Sequence, residues 1–329
     1  MDPRNGMATL SLLVDNAIRE GLITGFAMAR GDAEGEKDSF FSGKTSSGRE
    51  CGKDTIFDIA SLTKVVGTTN ILALLMERGL LSPESKVKDF LPHYRCGELT
   101  IRQLATHYSG LPHLPLASGE EMENLLAEVS PQTTPGSSYL YSCINFHILY
   151  RIAKKITGEK PEDFAEKNIF APLGMKDTSW GTPKDLARTA ESINAPPGII
   201  SDEWARSFLP ARTGNAGIFS SLGDLEKMAE MLLKRGKGFF TTDIVERELF
   251  RFSSPPGKDL RTLGYNGARD GLPENFSPQS VFHTGWTGQS FFLDPVKNIY
   301  CIVLTIRKGD KIRCAAFRRK AAELFCNNL

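Results

Sequence analysis

Strand-like stretches sit at the two ends of the chain, and helical periodicity fills the middle. Residues 22–31 and 37–44 read as two strands joined by the polar turn Gly31–Glu36. Short strands are expected again near 262–266, 279–284, 288–294 and 299–306. Between the two groups the apolar spacing is three and four residues, predicting helices at 61–78, 100–107, 119–129, 143–157, 161–169 and about 221–235. Helical patterns at 8–20 and 311–326 flank the strands. Strands from opposite ends can bury their apolar faces together only if the ends meet, so the order predicts a mostly antiparallel sheet with helices packed on it. Residues 1–60 and 211–329 are expected to build that sheet domain, and 61–210 a mainly helical region with the ligand cleft between. Residues 176–215, carrying Pro183, Pro196, Pro197 and Pro210, read as irregular.

The strongest helix is 61–78. Leu62, Val65, Val66, Thr69, Leu72, Ala73 and Met76 recur on one face, and Gly79 is placed to close it. Ser220 or Ser221 is expected to cap the helix that follows, with Asp224 near its third position.

A chain of 329 residues can bury a sizeable core. Lys and Arg number 40 against 39 Asp and Glu, which argues against a nucleic-acid binder and against a disordered polyelectrolyte. No apolar run reaches the roughly 18–20 residues of a membrane span. The opening MDPRNGMATLSLLVDNAIREG has a short apolar stretch broken by Asp15, so a cytoplasmic location is expected. Cys51, Cys96, Cys143, Cys301, Cys314 and Cys326 are scattered, which predicts reduced thiols and no zinc site.

Ser61-Leu62-Thr63-Lys64 opens the strongest helix. Ser61 and Lys64, three apart, share a face. Burial lowers the pKa of an ammonium, and a depressed lysine can take the proton of a neighbouring hydroxyl. A helix N-terminus also favours negative charge developing there. Taken alone, the tetrad reads first as an ordinary serine cap with a solvated lysine, since S-x-x-K occurs often by chance.

Its surroundings carry more. Phe57-Asp58-Ile59-Ala60-Ser61-Leu62-Thr63-Lys64 resembles the nucleophile motif of the serine β-lactamase/penicillin-binding-protein-like superfamily, in the branch of class C β-lactamases, β-lactamase-fold esterases and D-aminopeptidases. Four further stretches follow in that family's order. Leu99–Pro112 is similar to its T-I-R-x-L-L-T-H-T-S-G-L segment, and Pro135–Ser142 to its P-G-x-x-x-x-Y-S-N segment. Gly214–Ser221 with Asp224 is similar to its A-G-G-L-x-S-T-x-x-D-L loop and helix, and His283-Thr284-Gly285-Trp286-Thr287-Gly288 to its H-T-G-x-T-G strand. The likeness runs from about residue 50 to 306.

The resemblance implies a β-lactamase/transpeptidase-like sandwich, a nucleophile at Ser61, and proton handling by Lys64 and Tyr141. Tyr139, two residues earlier, is the competing tyrosine. A phenol is a poor base at neutral pH, but a cationic lysine beside it stabilises the phenolate. The resemblance also implies an oxyanion hole from the backbone N–H groups of Ser61 and Trp286, with Thr284 and Gly285 beside it. Cys143 stands where the family has asparagine, and a thiol is a weak substitute for an amide. His283 stands where classical β-lactamases have lysine, so a fixed cation for a substrate carboxylate is lost, although histidine can still donate a hydrogen bond. His107 reads as a buried hydrogen-bonding residue, and Asp58 and Asp294 as structural. The basic residues Arg307, Lys308, Lys311, Arg313, Arg318, Arg319 and Lys320 read as the solvated face of the last helix. Without a G-x-S-x-G elbow, a serine–histidine–aspartate triad through His107 or His113 is not supported.

The function expected is hydrolysis of small or short-acyl carboxylic esters through an acyl-enzyme, with no metal or organic cofactor. The alternatives are β-lactamase or D-amino-acid peptidase action, acyl transfer to a small-molecule acceptor, and a catalytically silent binding protein of the same fold. The partner in the enzymatic readings is a small-molecule ester or amide, and the oligomeric state is left open.

Overall fold

The computed structural model of the protein describes residues 3–35, 37–257 and 259–327. Its strands, in chain order, are β1 (Ile23–Asp32), β2 (Lys37–Gly43), β3 (Ile56–Asp58), β4 (Ser179–Trp180), β5 (Ile218–Ser221), β6 (Val281–Gly285), β7 (Gln289–Asp294) and β8 (Ile299–Arg307). The two ends of the chain meet in one antiparallel sheet of order β2-β1-β8-β7-β6. Asp32 turns the chain from β1 toward β2 by accepting the N–H groups of Glu34 and Gly35; Glu36 lies outside the described residues.

β1 and β8 are apolar on both faces because both faces are covered. Phe26 and Met28 of β1 join Cys301 and Val303 of β8 against the helices Pro3–Arg19 and Lys311–Phe325. Ala27, Ala29, Ile302 and Leu304 point the other way, toward Leu225, Met228 and Leu232 of the helix Leu222–Leu233. A one-residue slip would exchange the two sets, so the pleat and the burial fix the register together. The expected cap is Ser221, whose side chain accepts the Asp224 N–H. Among the described residues no helix is long and apolar enough to cross a membrane.

Three differences from the sequence reading bear on the site. β3, β5 and β4 form a second, three-stranded sheet that periodicity misses, because strands of two to four residues hold too few positions to show it. The expected helix 61–78 is not continuous. A 3₁₀ turn Ala60–Leu62 and a wide π turn Lys64–Thr68 precede an α-helix Thr69–Glu77. The widened turn releases carbonyls from the usual ladder, and the buried Asn70 side chain donates to Val65 O at 2.9 Å and Val66 O at 3.0 Å. The expected strand at 262–266 is instead a tight loop bridging Arg261 to Asn266, turned at Gly264 (φ +92°), where a Cβ would lie 2.2 Å from the Thr69 hydroxyl.

Candidate active site

β3 delivers the chain to Ser61 through a strained turn. Ala60 has φ +44°, a left-handed conformation that a side chain disfavours by roughly 1–3 kcal/mol. The buried Asp58 holds it there. Its carboxylate accepts the N–H of Ala60 at 2.9 Å and of Ser201 at 2.8 Å. Its carbonyl accepts the Thr287 hydroxyl at 2.7 Å and the Gln289 amide at 3.1 Å. The turn is thereby fastened to the loop after β6. Gly285 makes that approach possible, since a Cβ there would sit 2.7 Å from Ile59 O.

Two groups converge on the Ser61 hydroxyl. Lys64 Nζ donates to Ser61 Oγ at 3.0 Å, and the Tyr141 hydroxyl donates to the same oxygen at 3.1 Å. The π turn drives Lys64 inward until no part of it is exposed. Nζ also donates to Asn215 O at 3.1 Å and lies 5.1 Å from the Tyr141 ring centre. Burial opposes the charge on Lys64, but the acidic groups beside it, Cys143, Tyr141 and Asp202, outweigh burial and hold its pKa above the ordinary value. This corrects the expectation of a depressed lysine: Lys64 rests as an ammonium.

Tyr141, not Tyr139, reaches Ser61. His107 is buried at φ +59°, its ring centre 4.4 Å from that of Tyr141. Its Nδ1 accepts the Ser142 N–H at 3.3 Å and contacts the Asn145 amide at 3.0 Å, so the histidine seats the tyrosine ring. Cys143 opens the helix Cys143–Thr157 with its sulfur 3.9 Å from Lys64 Nζ, and burial pushes its thiol up despite the lysine. Asn145 is turned to His107 and to Ser109, whose hydroxyl it accepts at 2.7 Å; it does not replace the missing asparagine.

Ser61, Tyr141, Cys143, His283, Thr284, Gly285 and Trp286 line one pocket of about 440 Å³. Lys64 lies beneath it. His283 is buried, and its Nδ1 lies 2.9 Å from Thr284 O, so that nitrogen carries the proton and Nε2 is an acceptor. Burial, with Lys64 and Arg261 nearby, keeps the ring neutral. The hydrogen-bond donor expected of His283 is thus already engaged.

A family model described as Beta-lactamase matches residues 16–324. The chain belongs to the β-lactamase family. A protein of Escherichia coli (strain K12) named "Putative D-alanyl-D-alanine carboxypeptidase" is 26% identical over 299 residues, covering 76% of this chain and 69% of the relative. A class C β-lactamase structure superposes with TM-score 0.81 at 18% identity, over 100% of this chain and 99% of the other. The structure titled "EstCE1, a hydrolase with promiscuous acyltransferase activity" superposes with TM-score 0.80 at 19% identity, over 98% and 99%. The fold is the β-lactamase/transpeptidase fold, and the chain is a serine-hydrolase relative of these proteins.

This β-lactamase-family pocket also contains residues that the sequence does not place there: Arg261, which carries no motif, and two that read as solvated. Arg261, Lys311 and Arg318 line it, against a single carboxylate, Asp202. Arg261 comes from the tight loop before β6. It is 5% exposed, donates to the Tyr139 hydroxyl, and stacks 4.4 Å from that ring's centre. Among the described residues no carboxylate lies within ion-pair distance of it, the Asp259 charge acts on it only from farther away, and its Nε has no partner. The basic run near the end of the chain is not one solvated face. Arg307 belongs to β8 and Arg318 to the last helix, both are buried, and Arg318 Nε donates to Ser290 Oγ at 2.8 Å. Lys311 lies 5.2 Å and Arg307 4.6 Å from the Trp286 ring centre. Loop chirality and long-range packing place these cations, and neither leaves a local periodic signal.

Proposed function

We propose that the protein hydrolyses small, short-acyl carboxylic esters through an acyl-enzyme on Ser61. The reading rests on the contact of three groups: Ser61 Oγ within 3.0 Å of Lys64 Nζ and 3.1 Å of the Tyr141 hydroxyl. Ser61 attacks the ester carbonyl. Once the Tyr141 hydroxyl has given its own proton to solvent, its oxygen, beside the Lys64 cation and 3.1 Å from Ser61 Oγ, takes the serine proton and passes it to the departing alkoxide. The backbone N–H groups of Ser61 and Trp286 hold the oxyanion. Water then attacks the acyl carbon, giving its proton to Tyr141. The acid leaves, and the proton returns to Ser61.

The preference for esters follows from Cys143. An amide substrate presents polar groups that need strong partners, and the buried thiol is a weak one. The modest pocket volume supports small substrates. The decisive experiment is hydrolysis of p-nitrophenyl butyrate by the wild type and by Ser61→Ala. Turnover lost in the variant supports the reading, and an inert wild type overturns it.

A second reading is favoured by the cations. Arg261, Lys311 and Arg318 suit a substrate with a terminal carboxylate, as in the carboxypeptidase reaction for which the E. coli relative is named. Covalent labelling by penicillin and release of D-alanine from a D-alanyl-D-alanine peptide, both absent in Ser61→Ala, would favour it over the esterase.

A further inference from the structure

A second cavity, of about 980 Å³, shares no lining residue with the pocket around Ser61. It opens between the helix Cys143–Thr157 and the segment 207–212. Its floor is aromatic. His147 is buried, with its ring centre 4.3 Å from Phe208 and 5.9 Å, in stacked orientation, from Tyr150. Burial, and then the Arg151 charge, keep this histidine neutral. Arg151 Nε donates to its Nε2 at 2.9 Å, so the ring proton sits on Nδ1. That buried N–H has no partner among the described residues. Buried donors are nearly always satisfied, and one left unmade costs about 1–3 kcal/mol.

The rim is cationic. Arg151, Lys154, Lys155, Lys160 and Arg212 line the cavity, five positive charges against the two of Glu123 and Glu162. Both carboxylates are occupied, Glu123 by Arg151 at 2.6 Å and Glu162 by the Tyr150 hydroxyl. Lys154, Lys155 and Lys160 have no carboxylate partner among the described residues. Arg212 is fixed rather than loose. Its Nη1 donates to Pro210 O at 3.0 Å, and its guanidinium lies over Gly181, where a Cβ would fall 1.9 Å from Nε.

We propose that this cavity is a second binding site, for an organic anion with a flat apolar body. The body lies against Phe208 and His147, and the anionic head meets Lys154, Lys155 and Arg212. Such a ligand matches both halves of the cavity, the apolar floor by burial and the rim by charge.

Calorimetric titration of the full chain with 2-naphthoate, and with the neutral 2-naphthamide, tests this without any turnover. Naphthoate is expected to bind once per chain, about tenfold or more tighter than the amide. Its affinity is expected to fall about tenfold in Arg212→Gln and in the double variant Lys154→Gln/Lys155→Gln. The two lysines are exposed, so the double variant folds even if Arg212→Gln does not. Equal affinity for acid and amide overturns the proposal, and so does naphthoate binding by the double variant at the wild-type affinity. Because no bond is broken, the outcome is independent of whether the protein hydrolyses esters.

Discussion

The two walls of the Ser61 pocket are built on different principles. On the helical wall Ser61, Lys64 and Tyr141 touch one another, Ser61 and Lys64 from one short motif and Tyr141 from a second. On the wall made by β6, the loop before it and the last helix, His283, Arg261, Lys311 and Arg318 arrive from three separate segments. None of these four hydrogen-bonds a reacting atom of the first wall. The first arrangement suits bond making, which needs contact within about 3 Å. The second suits sorting of substrates by charge, which acts over longer distances.

The sharpest way to break that division is Ser61→Ala. Turnover of p-nitrophenyl butyrate is expected to fall by about 10³-fold or more. Full activity in the variant would remove the nucleophile from the helical wall altogether. Tyr141→Phe comes next, with a loss of about 10²–10⁴-fold in kcat, the usual range for a positioned acid–base group. His107 still has its ring to stack against, so the variant should fold as the wild type does, which circular dichroism can check. A Tyr141→Phe enzyme that changed KM and left kcat alone would make the tyrosine a binding residue and place it with the other wall.

Arg261→Gln tests the second wall. The measure is the ratio of kcat/KM for p-nitrophenyl hydrogen glutarate, which carries a carboxylate, to that for p-nitrophenyl butyrate. A buried guanidinium with no carboxylate within ion-pair distance among the described residues should attract the acid, and the ratio is expected to drop about tenfold in the variant. A ratio that does not move would leave charge selection to Lys311 and Arg318.

The same contrast governs what could be read from the sequence. The sheet was legible because β1 and β8 are long, mostly apolar runs bounded by turn residues, and the family motifs placed Ser61, Lys64 and Tyr141 in register. The break in the helix was not legible, because Lys64–Thr68 keeps an apolar face while its backbone widens, and the Asn70 side chain that stabilises the wide turn looks in sequence like any polar residue. Nor was the charge state of Lys64, since burial alone points downward and the opposing groups, Cys143, Tyr141 and Asp202, come from distant parts of the chain. Arg261 leaves no signal: its loop reads in sequence as the edge of a strand, and its burial depends on Tyr139 from a distant segment. Arg318 was hidden in the opposite way, by neighbours that are solvated when it is not.

The smallest effect separates the walls by proton uptake. His107 and His147 on the helical side and His283 on the other are all buried and held neutral well below the ordinary value of 6.5. Burial is the main cause in each. Arg261, Lys64, His283 and His113 add to it for His107, Arg151 for His147, and Lys64 and Arg261 for His283. A folded chain that refuses protons its unfolded form accepts loses stability as pH falls through the unfolded value. Below about pH 6.5 each such histidine contributes a slope of about 1.4 kcal/mol per pH unit, roughly 4 kcal/mol for the three together. Asp58 works the other way, because burial raises its carboxyl and the folded state takes that proton more readily, so the observed slope is somewhat shallower. His283→Gln keeps a donor that can reach Thr284 O and removes one titrating group. It should therefore take about a third of the histidine slope away, measured by urea unfolding between about pH 7 and pH 5.5. If the slope does not change, His283 already carries a proton in the folded chain. β6 would then supply a cation of its own beside Ser61, and the charge-selecting wall would no longer depend on the residues gathered from outside that strand.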